Sequence, residues 1–322
     1  MEKSKNSDVQ GIDELAKKKA ALKLEISKVI VGQEKVVDQI LTAVFSNGHV
    51  LLVGVPGLAK TLLVNTISKV LGLSFNRIQF TPDLMPGDIT GSEILGEDRS
   101  FKFLKGPVFT NVLLADEINR TPPKTQAALL ESMQEHSVTI AGKSYDLPKP
   151  FFVLATQNPI EQEGTYPLPE AQLDRFMFNV WVDYPTVEEE VQLVRITTGQ
   201  KAAKVNQILK EDDILYFQDL IKKIPVPEPV LEYAVRLVVS TRKDSENCHE
   251  YTKKYLSWGA GPRASQCLIT GAKTHAALNG KYSVDIEDVK AVAFPVLRHR
   301  LILNYHADAE GLKIEDVISA LL

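Results

Sequence analysis

Short apolar runs alternate with stretches of helical periodicity over roughly the first 185 residues of the chain. Buried strands of a parallel sheet carry such unbroken apolar runs because helices cover both of their faces. We therefore expect an α/β domain in which helices cover a parallel sheet. The five strand-like runs are HVLLVG from residue 49, SFNRIQF from 74, VFTNVLLAD from 108, PFFVLATQ from 150 and RFMFNVWVDY from 175.

Two segments interrupt this alternation and are predicted to be inserted β-hairpins. The first covers residues 91–103 and turns at residues 96–99, whose sequence is GEDR. The second covers residues 137–147, where apolar and polar residues alternate on either side of an Ala-Gly-Lys turn. Both hairpins are additions to the framework of the sheet.

The pattern changes after Tyr184 and Pro185, because the sequence TVEE is a capping box that opens a helix and no strong strand-like run follows. The sequence thus predicts three parts. They are a flexible tail over residues 1–10, an α/β core over 11–185 that opens with a Lys-rich helix, and an all-helical domain over 186–322. Helices of this last domain are expected near residues 186–198, 212–223, 229–242, 262–278, 285–299 and at the C-terminus, with an exposed polar loop over 243–257.

The composition is that of a folded globular protein. Of 322 residues, 44% are hydrophobic and 24% are charged, and the net charge is −4. This mildly acidic balance argues against nonspecific nucleic-acid binding, which needs clustered Lys and Arg. No apolar run is long enough to cross a bilayer and no signal peptide is visible, so we expect a cytoplasmic protein without membrane insertion. Two distant cysteines and six histidines without metal-ligand spacing indicate no disulfide framework and no transition-metal site.

The sequence GVPGLAKT at residues 54–61 follows a strand and precedes a helix, which is the setting of a P-loop. In such a loop, backbone N–H groups surround phosphate oxygens. Lys60 would reach the β- and γ-phosphates of ATP, and the Thr61 hydroxyl would bind Mg²⁺. Ala59 stands where a second glycine is usual, and it should fit if its φ is negative; a chance Gly/Pro turn is the alternative to a P-loop. The candidate nucleotide contacts are Gly54, Val55, Pro56, Gly57, Leu58, Ala59, Lys60, Thr61 and Leu62.

Two acids, Asp116 and Glu117, end a buried strand where a P-loop protein carries its Walker B carboxylates. Asp116 would hold Mg²⁺, usually through water, and Glu117 would orient or deprotonate the attacking water. Alternatively, the two acids cap the helix expected over residues 119–136. Asn158 ends a neighbouring strand, where its amide could contact the γ-phosphate and the water or could equally form a turn before Pro159.

The order of P-loop, acidic strand end, Asn-terminated strand and an LDRF segment resembles the AAA+ ATPases. Five longer motifs, spread over roughly residues 31–300, resemble the MoxR family more narrowly, and the GLAKT form of the P-loop is what that family uses. The motifs are TPDLMPGDITG at 81–91, GPVF at 106–109, DEINR at 116–120, NPIEQEGTYPLPEAQLDRF at 158–176 and GPRAS at 261–265.

This resemblance implies a nucleotide-binding core with a helical lid, assembled into a homo-oligomeric ring that is expected to be hexameric, with hydrolysis at each interface. Arg175 resembles the arginine finger that enters the neighbouring subunit's site, and Arg263 resembles the sensor-2 arginine of the lid; a structural ion pair is the alternative for each. Val31, Gly32 and Gln33 resemble the segment beside the adenine, although a plain transition from a loop to a helix is nearly as compatible.

Two other features also recur in relatives. The inserted hairpins resemble elements of a clade that includes magnesium-chelatase ATPases, where they lie near the ring pore or contact partners. Residues 298–300, Arg-His-Arg, recur in the family, but a cationic helix C-terminus is the favoured interpretation.

The function expected from the sequence is Mg²⁺-dependent hydrolysis of ATP by a ring ATPase that remodels or matures client proteins. Its relatives commonly act with separate partners that carry von Willebrand factor A domains. A magnesium-chelatase-like motor for metal insertion is one alternative, which the MoxR-like segment 164–176 makes less favourable. A nucleotide-gated scaffold with little turnover is another, against which the intact Glu117 argues. A small-molecule kinase or a DNA motor finds no acceptor motif or basic stripe in the sequence.

Overall fold

A five-stranded parallel sheet forms the centre of the N-terminal half of the molecule. The computed structural model describes residues 2–95, 99–161, 164–199 and 204–322. The strands of the central sheet are β1 (Val50–Val53), β2 (Phe75–Gln79), β5 (Val112–Asp116), β8 (Phe152–Gln157) and β9 (Phe178–Trp181); the others are β3 (Gly91–Leu95), β4 (Phe101–Lys105), β6 (Ser137–Ile140), β7 (Lys143–Asp146), β10 (Leu256–Trp258) and β11 (Ile302–Leu303). In the central sheet the strand order is β2-β5-β8-β1-β9.

Side chains of the sheet alternate between two hydrophobic clusters, one on each face. Val50 and Leu52 join the larger cluster, which also contains most of the apolar side chains of the C-terminal region. Leu51 joins the smaller cluster on the opposite face. The predicted α/β core is thereby confirmed. The helices are α1 (Glu2–Ser27), α2 (Glu34–Phe45), α3 (Lys60–Leu71), α4 (Pro86–Thr90), α5 (Pro123–Glu135), α6 (Glu170–Leu173), α7 (Val187–Thr197), α8 (Glu211–Lys222), α9 (Glu228–Ser240), α10 (Glu250–Tyr255), α11 (Pro262–Leu278), α12 (Ile286–Leu297), α13 (Tyr305–Ala309) and α14 (Ile314–Leu321).

The order of the strands determines where the candidate chemistry meets. Strand β8 lies between β5 and β1, and all three run parallel. Their carboxyl ends are therefore at one edge of the sheet, which is where ligands bind in open α/β sheets. The P-loop, the two acids and Asn158 follow these strand ends.

Both predicted hairpins are present. β3 pairs antiparallel with β4, and β6 pairs antiparallel with β7. The first hairpin extends to Lys105 rather than ending at 103, and residues 96–98 of its predicted turn lie outside the described residues. Phe103 stacks on Tyr145 with ring centroids 4.2 Å apart, so the two hairpins contact each other.

The N-terminal helix differs from the expectation. α1 begins at Glu2, so residues 2–10, expected as part of a flexible tail, are helical, and the helix ends at Ser27 rather than near 31. Gly11 does not break it because α1 packs closely on α8: a Cβ at this position would lie 2.7 Å from both Leu220 Cδ2 and Tyr216 Oη. α1 also packs against α3 and α11, and therefore connects the P-loop helix to the C-terminal region.

The C-terminal region is helical, as expected, and its first helix has the predicted capping box. Glu189 N–H donates to Thr186 Oγ1 at 3.3 Å, and Thr186 N–H donates to Glu189 Oε2 at 2.8 Å. The region also contains a two-residue strand, β11, that pairs with β10. The predicted exposed loop over 243–257 instead includes α10 and the first two residues of β10. Thr252 and Tyr255 are buried and anchor this segment.

None of the helices in the described ranges combines the length and apolar character required to span a membrane.

Candidate nucleotide-binding and hydrolysis site

The P-loop connects β1 to α3 and leaves space for a ligand. Gly57 has φ +87°, and apart from its chain neighbours no described heavy atom lies within 4 Å of where a Cβ would be. Ala59, directly before α3, has φ 52° and ψ 27°. The expected negative φ is therefore not observed. A left-handed conformation disfavours a residue with a Cβ by roughly 1–2 kcal/mol, so the loop retains strain at Ala59.

Lys60 is the first residue of α3 and folds back over the loop, where its Nζ donates to the Gly54 carbonyl oxygen. The amine is about half buried. Burial lowers the pKa of Lys60 from its usual value, while the nearby carboxylates of Asp116 and Glu117 act in the opposite direction. A cation is thus held beside two acids at the end of the P-loop.

Asp116 and Thr61 bring oxygen atoms together across the loop. Thr61 Oγ1 lies 3.5 Å from Asp116 Oδ2, and the other carboxylate oxygen accepts a 2.6 Å hydrogen bond from Thr156 Oγ1. Hydroxyl and carboxylate oxygens are the ligands that Mg²⁺ prefers. The donor set therefore fits the predicted magnesium site.

Arg77, which the sequence analysis did not single out, binds Asp116. Its Nε and Nη2 lie 3.0 and 2.7 Å from Asp116 Oδ2. The contact arises because β2 pairs with β5 in a register that sets Gln79 opposite Asp116. Only the strand order reveals this neighbour, since 39 residues separate Arg77 from Asp116.

Glu117 is held by two donors. Its backbone is left-handed with φ 58°, and its N–H donates to Thr156 Oγ1 at 2.8 Å. Its Oε2 accepts hydrogen bonds from Gln79 Nε2 at 2.7 Å and Arg120 Nη1 at 2.9 Å. The side chain makes no cap to the short helix that follows, so helix capping does not explain this acid.

Asn158 follows β8 and is buried. Its Oδ1 accepts a hydrogen bond from Ile160 N–H at 3.2 Å. Asn158 therefore forms the turn around Pro159 that was one of its two predicted roles. It also lies at the carboxyl end of β8, the strand between β1 and β5, where its other predicted role would require it.

A cavity of about 310 Å³ lies beside the P-loop. Val31 and Leu62 line it together with the loop, as expected, and so do Tyr184 and Pro185, which sequence reasoning missed. Gly32 does not line this cavity. It has φ +66°, and a Cβ there would lie 2.5 Å from the Glu189 carboxylate, so it serves the turn into α2. The partly apolar walls suit a planar base next to the phosphate loop.

Arg175 and Arg263 line a second cleft, of about 280 Å³. Arg175 Nε donates to Gln134 Oε1 at 3.2 Å, and Arg263 Nη1 lies 3.3 Å from Asp174 Oδ2. Among the described residues lining the P-loop cavity, neither arginine occurs. The structure therefore brings the two arginines together but not to the P-loop of their own chain.

His299 and Arg300 hold the turn between α6 and β9 in place. Arg300 is buried and donates to Asp174 Oδ1 at 2.7 Å and to the Phe176 carbonyl at 2.9 Å. It also binds the Val296 carbonyl in the last turn of α12, which agrees with a cationic helix C-terminus. His299 Nε2 donates to the Phe176 carbonyl at 3.0 Å.

The parallel sheet, the P-loop and the paired acids together define a P-loop ATPase of the AAA+ class with a helical lid. Family comparison agrees: residues 49–178 match the profile described as ATPase family associated with various cellular activities, and residues 249–321 match the AAA lid domain. The chain is an ATPase of the MoxR family.

Several similar proteins support the assignment to the MoxR family. Chaperone MoxR1 of Mycobacterium tuberculosis is 47% identical over 299 residues, which are 92% of this chain and 79% of that protein. Protein MoxR of Methylorubrum extorquens is 30% identical, with 88% of each chain covered. A crystal structure of a Cytophaga hutchinsonii protein assigned to the ATPases superimposes with a TM-score of 0.92 at 43% identity, covering 99% of this chain and 97% of that one.

Proposed function

We propose that this ATPase works as a Mg²⁺-dependent ring of identical subunits that remodels other proteins. The observation that carries the proposal is the separation of the two arginines from the P-loop cavity of their own chain. Each chain would then supply the P-loop and the acids of one site and the arginines of the next.

In this mechanism, the P-loop amides and Lys60 bind the phosphates of ATP. Thr61 and Asp116 would hold Mg²⁺, which neutralises charge on the phosphate oxygens when bound. Glu117, once released from its present donors, would accept a proton from the attacking water. The water oxygen bonds to the γ-phosphorus as the bond to the β–γ bridging oxygen breaks, giving ADP and phosphate.

The arginines suit a role on a neighbouring nucleotide. Arg175 donates to the exposed side chain of Gln134, and the Arg263 side chain is 47% exposed. A guanidinium that reaches the γ-phosphate stabilises the transition state, an effect on the order of 10³–10⁵ in rate for arginine fingers in general. We propose this role for both residues, with Asn158 contacting the attacking water from within its own chain.

Mixed assemblies test the ring. Each single variant should abolish turnover, because Glu117→Gln removes the group that accepts a proton from water and Arg175→Ala removes the guanidinium supplied to the neighbouring site. Mixed in equal amounts, they create interfaces that pair an intact Glu117 with an intact Arg175, so phosphate release should return to about a quarter of wild type for random pairing. A mixture that stays inactive, while wild type added to either variant remains active, would show that each chain carries its own complete site.

A role on client proteins is supported by the name of the mycobacterial relative and by the first hairpin, where Leu95, Phe101 and Leu104 are exposed. Exposed apolar side chains of this kind favour contact with another protein. A separate partner with a von Willebrand factor A domain, a hexameric state and a cytoplasmic location stay predictions. Co-purification with the tagged Glu117→Gln variant, compared in ATP and in ADP, would test for partners and clients.

A further inference from the structure

Arg77 binds the carboxylate that is proposed to serve magnesium. Its Nε and Nη2 both donate to Asp116 Oδ2, at 3.0 and 2.7 Å. That oxygen is also the one that faces Thr61 Oγ1, whereas Oδ1 accepts a hydrogen bond from Thr156. The guanidinium therefore takes the carboxylate oxygen that points toward the P-loop hydroxyl.

The two partners differ in burial. The Asp116 side chain is 13% exposed, but that of Arg77 is 46% exposed. A buried carboxylate without a counter-charge is unfavourable, so Arg77 stabilises Asp116 when no other cation takes its place. Because nearly half of the Arg77 side chain faces solvent, the guanidinium can move away without opening the sheet.

Two other cationic side chains already lie near the acids Asp116 and Glu117. Lys60 interacts electrostatically with both carboxylates, and Arg120 pairs with Glu117 at 2.9 Å. A divalent cation between Thr61 and Asp116 would add two positive charges beside Arg77. Repulsion and the shared oxygen make Arg77 and Mg²⁺ competitors for Asp116.

We propose that Arg77 is an internal counter-ion that occupies Asp116 until Mg²⁺ and nucleotide replace it, and that it thereby determines how much Mg²⁺ nucleotide binding requires. This inference rests on the proposed nucleotide and magnesium site. The effect extends to Glu117. Arg77 Nη2 donates to Gln79 Oε1 at 2.6 Å, and Gln79 Nε2 donates to Glu117 Oε2 at 2.7 Å. When Arg77 leaves, the amide that holds Glu117 loses its own partner.

Equilibrium binding tests the proposal without relying on turnover. Fluorescence of an ADP analogue bound to the full chain would be titrated with Mg²⁺ for wild type and Arg77→Gln. The Mg²⁺ concentration at half-maximal enhancement should fall about tenfold in Arg77→Gln, since a charge-assisted double hydrogen bond no longer competes. Arg236→Gln is the matched control, because Arg236 pairs with Glu232 on the exposed face of α9; its midpoint should equal that of wild type.

A second variant keeps the test informative if Arg77→Gln does not fold. Arg77→Lys keeps the charge but offers a single donor group, so its Mg²⁺ midpoint should lie between those of wild type and Arg77→Gln. Circular dichroism would establish which variants are folded. An unchanged midpoint in a folded Arg77 variant that still binds nucleotide overturns this inference alone. If wild type shows no Mg²⁺-dependent nucleotide binding, the proposed function and this inference fail together.

Discussion

Arg300 Nε lies 2.7 Å from Asp174 Oδ1, and Asp174 directly precedes Arg175. The second carboxylate oxygen of Asp174 faces Arg263 at 3.3 Å. One aspartate therefore ties the segment that carries Arg175 to two residues of the C-terminal region. A movement of that region would carry Arg175 with it, which links the position of the lid to the cleft that contains both arginines.

The first prediction concerns this contact. Arg300→Gln should destabilise the protein by about 3 kcal/mol, because it leaves Asp174 and buried carbonyl groups without their charged donor. Urea unfolding measures the change. The same substitution at the exposed Arg236 should change stability by less than about 0.5 kcal/mol. A loss at Arg300 no larger than at Arg236 would contradict the structural role of Arg300.

The sequence predicted the parts of the site that are local in the chain. The P-loop and the acids Asp116 and Glu117 each follow a recognisable strand. Unbroken apolar runs predicted the strands of the central sheet, and helical periodicity predicted most of the helices. Arg77, Gln79 and the contact of Arg300 with Asp174 were not predicted, because these interactions cross between elements. Arg77 reaches Asp116 only because β2 lies beside β5, and periodicity within one strand contains no information about its neighbour.

Short or strained structural features were also not predicted from the sequence. The strand β11 has two residues, too few for a visible alternation. Ala59, directly before α3, adopts a left-handed conformation that opposes the intrinsic preference of alanine, so its residue type did not predict it. Residues 2–10, expected as part of a tail, belong to α1, because long-range packing of Gly11 on α8 outweighs the local effect of a glycine.

The strain at Ala59 leads to a second prediction. Ala59→Gly should raise the free energy of unfolding by about 1 kcal/mol. Glycine adopts φ 52° without the penalty that a Cβ causes, and this gain exceeds the cost of the greater freedom of glycine in the unfolded chain. Ala20→Gly, within α1, should have the opposite sign and lower stability by about 1 kcal/mol. Chemical unfolding of both variants measures the difference. Equal signs would show that Ala59 is not strained.

Gly32 provides a third prediction. Gly32→Ala introduces a Cβ at φ +66° and within 2.5 Å of the Glu189 carboxylate, whereas Gly142→Ala at φ +78° meets no described atom within 4 Å. Both carry the left-handed penalty of roughly 1–2 kcal/mol, but only Gly32→Ala adds a steric clash. It should therefore lower the thermal unfolding midpoint more than Gly142→Ala. Glu189→Ala by itself removes the cap to Thr186 N–H, so the comparison is repeated in that background, where the two glycine substitutions should cost the same. Equal losses for the two glycines would mean that Glu189 moves aside freely.

The last prediction is a pH dependence of stability that originates at His49, just before β1. His49 is buried, its Nδ1 accepts from Val153 N–H at 3.0 Å and its Nε2 donates to the Met133 carbonyl at 3.1 Å. Burial, more than its neighbours, lowers the pKa of His49 from 6.5 to about 4. Burial likewise lowers the pKa of His299 well below its usual value.

The sign follows from these shifts. Between pH 6.5 and 4 the unfolded chain binds more protons than the folded one, so the free energy of unfolding falls as the pH falls. The contribution of His49 is complete above about pH 6.5, and about 2 kcal/mol of it should be lost by pH 5. Urea unfolding at pH 7 and pH 5 measures the slope, which His49→Gln should reduce while leaving the share of His299. A wild-type stability that does not fall over this range, or a His49→Gln variant with the full wild-type slope, would show that His49 is not the buried neutral imidazole described here.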